Sequence, residues 1–391
     1  MAKSKRPEIP MSFEWTRSDG SRCEDRAPHM TLVPFNGEKR IIARGQRRLP
    51  SRSIVPRPNG SRIANVLKGK RGLVTGGAGF VGSHIVELLV TAGCSEIIVI
   101  DNMSKGRPEN LVDSIRSGKV HLVIGDIRNQ LLLKELLEGV DTVFHQAELP
   151  STYCAAEPRA ALEVMVDAMF NLLEQCDKSG VRKIVMASSA AVYGMPDSFP
   201  TTEHHNSYSN RTLYGTAKSF GEGLLRSFNS LYGLNYVALR YFDVYGPRMD
   251  VHGRHTEALI RWMERIDAGL PPIIFGNGDQ TVDLLHVEDV ARANVLAATS
   301  PASDVALNVG SGEETSLLQL ARLLSRAMGR PDLEPIFWQE GQVNPVLRRW
   351  ADTNAARRII GFEANIPLAA GVTSLVDWWR KQSIARQRVL G

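Results

Sequence analysis

In the segment LYGTAK, Tyr214 and Lys218 stand four residues apart, a spacing that on a helix lays both side chains on one face. A phenol titrates near pH ~10, so poising it near neutrality asks for about 3 units, or roughly 4 kcal/mol. A close ammonium and the positive ring of an oxidised nicotinamide can supply that shift. Tyr214 can then remove a substrate hydroxyl proton while hydride leaves the same carbon. In SSAAVYG, residues 188–194, Ser189 stands at the tip of an apolar run and precedes Tyr214 by 25 residues. Its hydroxyl can share the substrate oxygen with the phenol. Alone, Y-x-x-x-K is more often a helix surface pair, so the weight of the reading rests on the elements that place it.

Those elements are legible from residue 71 onward. RGLVTG, EIIVID, VHLVIG, DTVFH, RKIVMASS and NYVALRYF read as buried strands, separated by amphipathic stretches beginning near Gly79, Arg107, Gln130, Pro158 and Leu213. Such alternation predicts an α/β fold, a Rossmann-type doubly wound parallel sheet with its ligand beyond the carboxyl ends of the strands. After Gly246 the rhythm loosens into a helix near 255–268 and short strands near 273–275 and 282–286, which predicts a smaller C-terminal substrate-binding lobe. The expected organisation is an N-terminal extension over 1–66, a nucleotide-binding domain over 67–250 and a mainly substrate-binding lobe over 251–391.

The segment LVTGGAGFVGSHIVELLV spaces Gly76, Gly79 and Gly82 as G-x-x-G-x-x-G, with a strand before and a helix after. Glycine there lets the backbone approach a pyrophosphate, and the helix start supplies unpaired N–H groups and a favourable dipole. Asp101 ends the next strand, where a carboxylate can hold ribose hydroxyls. Its charge would repel a 2′-phosphate, so the expected cofactor is NAD rather than NADP.

The chain has 391 residues, 43% of them apolar, and its N-terminus lacks the apolar stretch of a secretory signal. No run approaches a membrane span. A cytoplasmic protein with no membrane partner is expected. The four cysteines, Cys23, Cys94, Cys154 and Cys176, show no metal or disulfide spacing and read as reduced structural thiols. Residues 1–70 hold 16 Lys/Arg against 6 Asp/Glu, so the net charge of +5 resides in an arm rich in Arg, Pro, Ser and Gly. That arm reads as a solvated tail or a segment docked on the body, with nucleic acid the weaker reading. Glu8, Glu14 and Asp19 argue against a transit peptide.

TGGAGFVGSH, Asp101-Asn102, GDIR at 125–128, HQA at 145–147, SSAAVYG, YGTAK, RYFDVYGPR at 240–248 and RRWAD at 348–352 occur in one order. Together they resemble the extended short-chain dehydrogenase/reductase superfamily, in its branch of NAD-dependent sugar-nucleotide epimerases and dehydratases, UDP-glucose 4-epimerase among them. The resemblance implies a catalytic triad of Ser189, Tyr214 and Lys218. It implies cofactor contacts from Gly76, Gly79, Phe80, Val81, Gly82, Asp101, Asn102, Gln146 and Ala147, with Tyr214 and Lys218 also on the cofactor. Asp126 and Ile127 would frame the adenine, and the region of Tyr241 and Val244 would flank nicotinamide and sugar. Substrate contacts would come from Ser189, Asp243, Arg248 and Arg349, the last on a diphosphate. A homodimer is implied through the helices after Pro158 and Leu213, which carry Met165, Met169, Phe170, Phe220 and Phe228.

Dehydratases of this branch carry an Asp-Glu pair after the hydroxyl residue, and its decarboxylases carry a Glu. This chain has Ala190 and Ala191, and a methyl group transfers no proton. The expected reaction is therefore epimerisation of a nucleotide sugar, a UDP-hexose at C4, through a 4-keto intermediate. A 4-ketoreductase or dehydrogenase and a non-catalytic NAD-binding scaffold stay open. Three departures from the family pattern bear on substrate: Asp243 for Asn, Val282 for Arg, and Glu148 for a small residue. Arg248, Arg254, Arg348 and Arg349 are the cations that could compensate. His204, His205, His252 and His255 read as loop histidines and His286 as a core hydrogen-bonding residue, with no metal site expected. Trp378 and Trp379 read as packing.

Overall fold

The computed structural model describes residues 29–35, 38–44, 63–251, 258–339 and 346–390. Strands β1 (His29–Phe35) and β2 (Glu38–Arg44) form an antiparallel hairpin. Seven parallel strands follow: β3 (Arg71–Thr75), β4 (Glu96–Asp101), β5 (Val120–Ile124), β6 (Thr142–His145), β7 (Lys183–Ser189), β8 (Asn235–Tyr241) and, much later, a returning strand at Val305–Val309. Short strands β9 (Asp243–Tyr245), β10 (Ile273–Phe275), β11 (Thr281–Val282) and β12 (Leu284–His286) precede that return, which is therefore β13; β14 (Thr315–Ser316) and β15 (Ile336–Trp338) complete the series. The large sheet runs β1-β2-β5-β4-β3-β6-β7-β8-β13. Its order reverses at β3, which pairs with both β4 and β6.

The middles of the parallel strands are apolar because helices cover both faces. Successive residues enter opposite cores: Leu73, Ile98, Val143 and Ile184 join one cluster, while Val74, Val99, Phe144 and Val185 join the other. One face is covered by helix α1 (Phe80–Thr91), and the other by α2 (Gln130–Leu136), α3 (Ala168–Lys178) and α4 (Leu213–Tyr232). The expected helix starts near Gly79, Gln130 and Leu213 fall at α1, α2 and α4. Pro158 opens a one-turn helix, Pro158–Leu162, that leads through Glu163–Asp167 into α3.

The two ends of the chain add detail to the expected boundaries. Part of the N-terminal extension forms an edge of the large sheet, where β2 runs antiparallel to β5 with Lys39 opposite Ile124. In the C-terminal third, helix α5 (Ala258–Asp267) belongs to the lobe, but α6 (Val287–Thr299) lies against α1, and β13 closes the sheet beside β8. The remaining lobe packs α5 against α7 (Leu317–Ala327) and α8 (Leu368–Leu390) around Trp262, Met263, Leu324, Leu375 and Trp379. Trp379 is 5% exposed, and Trp378 packs on the same cluster.

Helix α4 carries Tyr214 and Lys218 and is fastened to the sheet by polar bonds. Tyr214, Lys218 and Glu222 succeed one another at four-residue intervals, so they form one ridge. The Lys218 ammonium donates to the Ala187 carbonyl of β7 at 2.7 Å. Glu222 accepts from Ser188 Oγ on β7 at 2.5 Å and takes a two-point bond from Arg240 on β8, at 2.9 and 2.7 Å. The Arg240 and Glu222 side chains are only 12% and 7% exposed. Removing one partner of such a pair strands the other charge in a dry environment. Glu222→Ala is expected to lower unfolding stability by about 3–5 kcal/mol, read as a shift in the urea midpoint.

Candidate active site

The glycine loop leaves β3 with Gly76 at φ +66°, a left-handed conformation that favours glycine. A Cβ at Gly76 would lie 2.9 Å from the Ala147 backbone, and one at Gly82 would strike the Gly76 carbonyl and come within 2.7 Å of Gly77 Cα. These positions admit only hydrogen, and they bring the start of α1 down onto the strand ends. Helix α1 has Gly79 as its N-cap with no side-chain cap and no acid in its first turn. By contrast, α4 is capped by Thr212 and α7 by a Ser316–Gln319 capping box. The loop therefore offers free N–H groups and dipole to an anion such as a dinucleotide pyrophosphate. Phe80 packs toward the lobe and Val81 toward the sheet core.

Asp101 is 7% exposed and accepts from Ala78 N at 3.0 Å and Met103 N at 2.9 Å. Burial pushes its carboxyl up, and the two backbone bonds oppose that. The residue read as a ribose acceptor thus also braces the glycine loop, and its remaining lone pairs stay available to ribose. Asn102 donates to Asp126 at 3.1 Å, and Arg128 grips the same carboxylate at 3.0 and 2.9 Å. Burial would raise Asp126, but the Arg128 and Asn102 hydrogen bonds outweigh it and hold the group at about 2. Ile127 is buried in the core below.

Gln146 and Tyr241 come together, but in a buried network. Tyr241 donates to Gln146 Oε1 at 3.2 Å and accepts from Asn294 at 2.7 Å, while Gln146 donates to Asn294 Oδ1 at 3.3 Å. Those side chains fasten β6, β8 and α6 to one another, so only their backbone is free to face a cofactor. Val244 also packs on the sheet core. His145 is bonded through Nδ1 to Thr75 Oγ1 at 2.8 Å, and burial with the nearby Lys218 charge pushes it down to about 3. It stays neutral.

At the chemical end the two serines part. Ser188 is 2% exposed and bonds Glu222 below the sheet face, whereas Ser189 ends β7 and accepts from Ala191 N at 3.1 Å. Ala190 and Ala191 open a short 3-10 turn. Tyr214 is half-buried; its hydroxyl is linked to Ser189, and Lys218 Nζ lies 5.6 Å from its ring centroid. The structure thus brings Ser189, Tyr214 and Lys218 to one place beyond the strand ends. Glu148 stands among them: Tyr214 donates to its Oε2 at 3.2 Å, and Lys218 pairs with the same oxygen. Burial, and then the Glu148 charge, push the Tyr214 phenol well above its ordinary value, with the Ser189 bond opposing.

The arginines expected on a diphosphate are engaged by carboxylates. Arg349 pairs with Asp243 at 2.9 Å, Arg248 with Glu87 at 3.1 Å, and Arg348 binds Glu314 through two nitrogens at 2.5 and 2.8 Å. Arg254 lies outside the described residues, as do His252 and His255. Asp243 Oδ2 is buried without a hydrogen-bond partner, so the acid that stands for Asn has spare acceptor capacity. His286 caps α6 and bonds Ser374 at 3.1 Å. Among the described residues no group of His, Cys, Asp and Glu could hold a metal.

The fold is that of a Rossmann-type α/β protein, with the glycine loop and the Ser189, Tyr214 and Lys218 cluster at its strand ends. The sequence pattern of the NAD dependent epimerase/dehydratase family matches residues 72–310, and the chain belongs to that family. It is 34% identical over 316 residues to the UDP-glucose 4-epimerase of Mycolicibacterium smegmatis, covering 80% of this chain and 99% of that one. It is similar in structure to the UDP-glucose 4-epimerase of Thermotoga maritima with UDP-glucose, at 33% identity and a TM-score of 0.74, covering 80% and 99% of the two chains. A UDP-N-acetylglucosamine 4-epimerase from Methanobrevibacter ruminantium, in complex with UDP-N-acetylmuramic acid, superposes with a TM-score of 0.76 at 30% identity, covering 81% and 99%.

The family's cofactor is NAD, and the uncapped helix start, the Gly76 and Gly82 approaches and Asp101 fit it. Gly82→Val is expected to abolish NAD retention while the far strands stay folded, measured as nicotinamide released on denaturation against the circular dichroism of the purified variant.

Proposed function

We propose that this protein is an NAD-dependent sugar-nucleotide epimerase acting at C4 of a UDP-hexose through a transient 4-keto sugar. The observation that carries the reading is the Ser189–Tyr214–Lys218 cluster at the strand ends, with methyl groups at 190 and 191. Ser189 polarises the reacting hydroxyl. Tyr214 takes its proton and later returns it. Lys218, held by the Ala187 carbonyl, supplies positive charge beside the phenol. NAD, held by the glycine loop and Asp101, would supply reversible hydride acceptance at C4. Epimerisation needs one base and one cofactor, whereas elimination needs further acids on the sugar. The names of the T. maritima and M. smegmatis proteins support a UDP-linked hexose.

In this reading residues 67–250 chiefly carry the cofactor, and 251–391 supply Arg349 and the substrate lobe. Gly76, Gly79, Gly82 and Asp101 hold NAD, with Asn102, Asp126 and Ile127 at its adenine. Asp243, Arg248 and Arg349 line the substrate's nucleotide end once their present pairs open. The buried, unpaired Cys94, Cys154 and Cys176 suit a reducing compartment, the cytoplasm. Tyr214→Phe is expected to lower kcat about 100-fold or more without loss of bound NAD, measured by interconversion of UDP-glucose and UDP-galactose. Wild-type turnover should leave nicotinamide absorbance unchanged; net oxidation or reduction would instead identify the ketoreductase.

The protein acts as a homodimer through α3, α4 and the turn before α3. Leu162, Phe170, Phe220 and Leu231 stand 39–70% exposed there, an apolar grouping that suits a partner surface. Phe220→Asp is expected to halve the mass seen by light scattering and to leave NAD bound.

A further inference from the structure

Glu148 is one of the departures from the family pattern, and it lies where the chemistry occurs. It follows Ala147, whose backbone lies against Gly76, so its main chain is fixed at the reversal of strand order. Its side chain is 35% exposed and reaches across to α4. One oxygen, Oε2, takes both the Tyr214 hydroxyl hydrogen and the Lys218 ammonium. Lys218 is 6% exposed, and its other bond goes to the neutral Ala187 carbonyl. The only full negative charge touching this ammonium among the described residues is Glu148.

Two physical effects then act on the phenol together. The carboxylate accepts the phenol's hydrogen bond, which stabilises the protonated form. It also offsets the ammonium that would otherwise stabilise phenolate. We propose that Glu148 is a positioning residue that holds the Tyr214 proton, so that Tyr214 becomes a base only when further positive charge enters the site. An oxidised nicotinamide carries such charge. The proposal rests on Tyr214 being the acid/base of the proposed reaction.

The other titratable groups around Glu148 do not replace this role. His145, on β6, is buried and neutral. Cys154, on the one-turn helix Ser151–Ala156, is a buried thiol that burial and Glu148 push up. Tyr241 is buried in the Gln146–Asn294 network and is likewise pushed up by burial. Ser189 does not titrate in water's range, and its bond to Tyr214 acts in the opposite sense to Glu148.

The sign is definite. A carboxylate that favours neutral phenol raises the Tyr214 ionisation, so removing its charge must lower it. The test titrates the purified full chain in the phenolate absorbance band, each protein compared with the same protein carrying Tyr214→Phe. Glu148→Ala and Glu148→Gln are both expected to bring the Tyr214 ionisation down by about one pH unit or more, a tenfold change in its constant. In kcat/KM with UDP-glucose the basic-form limb should move down in pH by the same amount.

Glu148→Gln keeps the shape and an acceptor oxygen, so its agreement with Glu148→Ala assigns the effect to charge. A structural role would lower melting temperature and activity at every pH without moving either titration. An ionisation that is unchanged or moves upward in either variant overturns the proposal. The absorbance arm needs no sugar, so it stands or falls apart from the identity of the substrate.

Discussion

The bond from Lys218 to the Ala187 carbonyl, with the Glu222 clamp one turn further along, is the constraint on which the site depends. Helix α4 must present Tyr214 beside Ser189 on a different element, and catalysis tolerates misplacement by little more than a fraction of an ångström. Apolar packing alone sets position less sharply than a charged, directional bond. The polar ridge does this work at two levels, because β7 supplies both the Ala187 and Ser188 anchors and the Ser189 hydroxyl. A displacement of α4 along its axis would break all these contacts together.

The cations proposed to face the substrate are ruled by pairing of charges. Lys218, Arg248, Arg348 and Arg349 each lie on a carboxylate. The Arg349 and Asp243 side chains are both 27% exposed, and pairs at that depth hold on weakly because water and salt screen them. A diphosphate brings more charge than one carboxylate, so it can displace Asp243 from Arg349. The displaced aspartate then needs a donor, and its second oxygen already lacks one. Sugar or ribose hydroxyls are suitable donors. Asp243 therefore need not oppose an anionic substrate, although it weakens the attraction that Asn in its place would leave intact.

Much of this arrangement was legible before any coordinates, and the reasons can be traced to particular residues. The strand runs are apolar because both sheet faces are covered, so LVT, IIVID and KIVMA announce a buried parallel sheet without further information. The glycine spacing announces a close backbone approach, which Gly76 and Gly82 make to Ala147 and Gly77. Tyr214 and Lys218 share a helix, so their neighbourhood follows from spacing alone. Contacts between distant segments did not follow. Glu148 could be marked as unusual, but 66 residues separate it from Tyr214, and no local pattern places a carboxylate between phenol and ammonium. Their motifs point Gln146 and Tyr241 at the cofactor, and no local pattern announces that Asn294 holds their side chains in the core. The continuation of the ridge to Glu222 follows the i, i+4, i+8 spacing, but a buried acid has meaning only with Arg240 opposite it. The edge hairpin at 29–44 left a weak signal, since Leu32-Val33 and Ile41-Ile42 are only short apolar groups in an otherwise polar arm.

The carboxylate of this site does not stand where the resemblance puts the acids of the dehydrating branch. Positions 190 and 191 carry methyl groups on a 3-10 turn, and the carboxylate that is present touches the phenol and the ammonium. A group in that position bears on the phenol's proton rather than on the sugar, as proposed above. It is also held by two donors, so it is not poised to protonate a leaving hydroxyl or to abstract a proton from a neighbouring carbon. Glu148 therefore does not restore elimination chemistry to a site that lacks the acids for it. It alters instead the condition under which one tyrosine works, and that separates two things a carboxylate can do in a redox site: take part in the reaction, or decide when the base is ready.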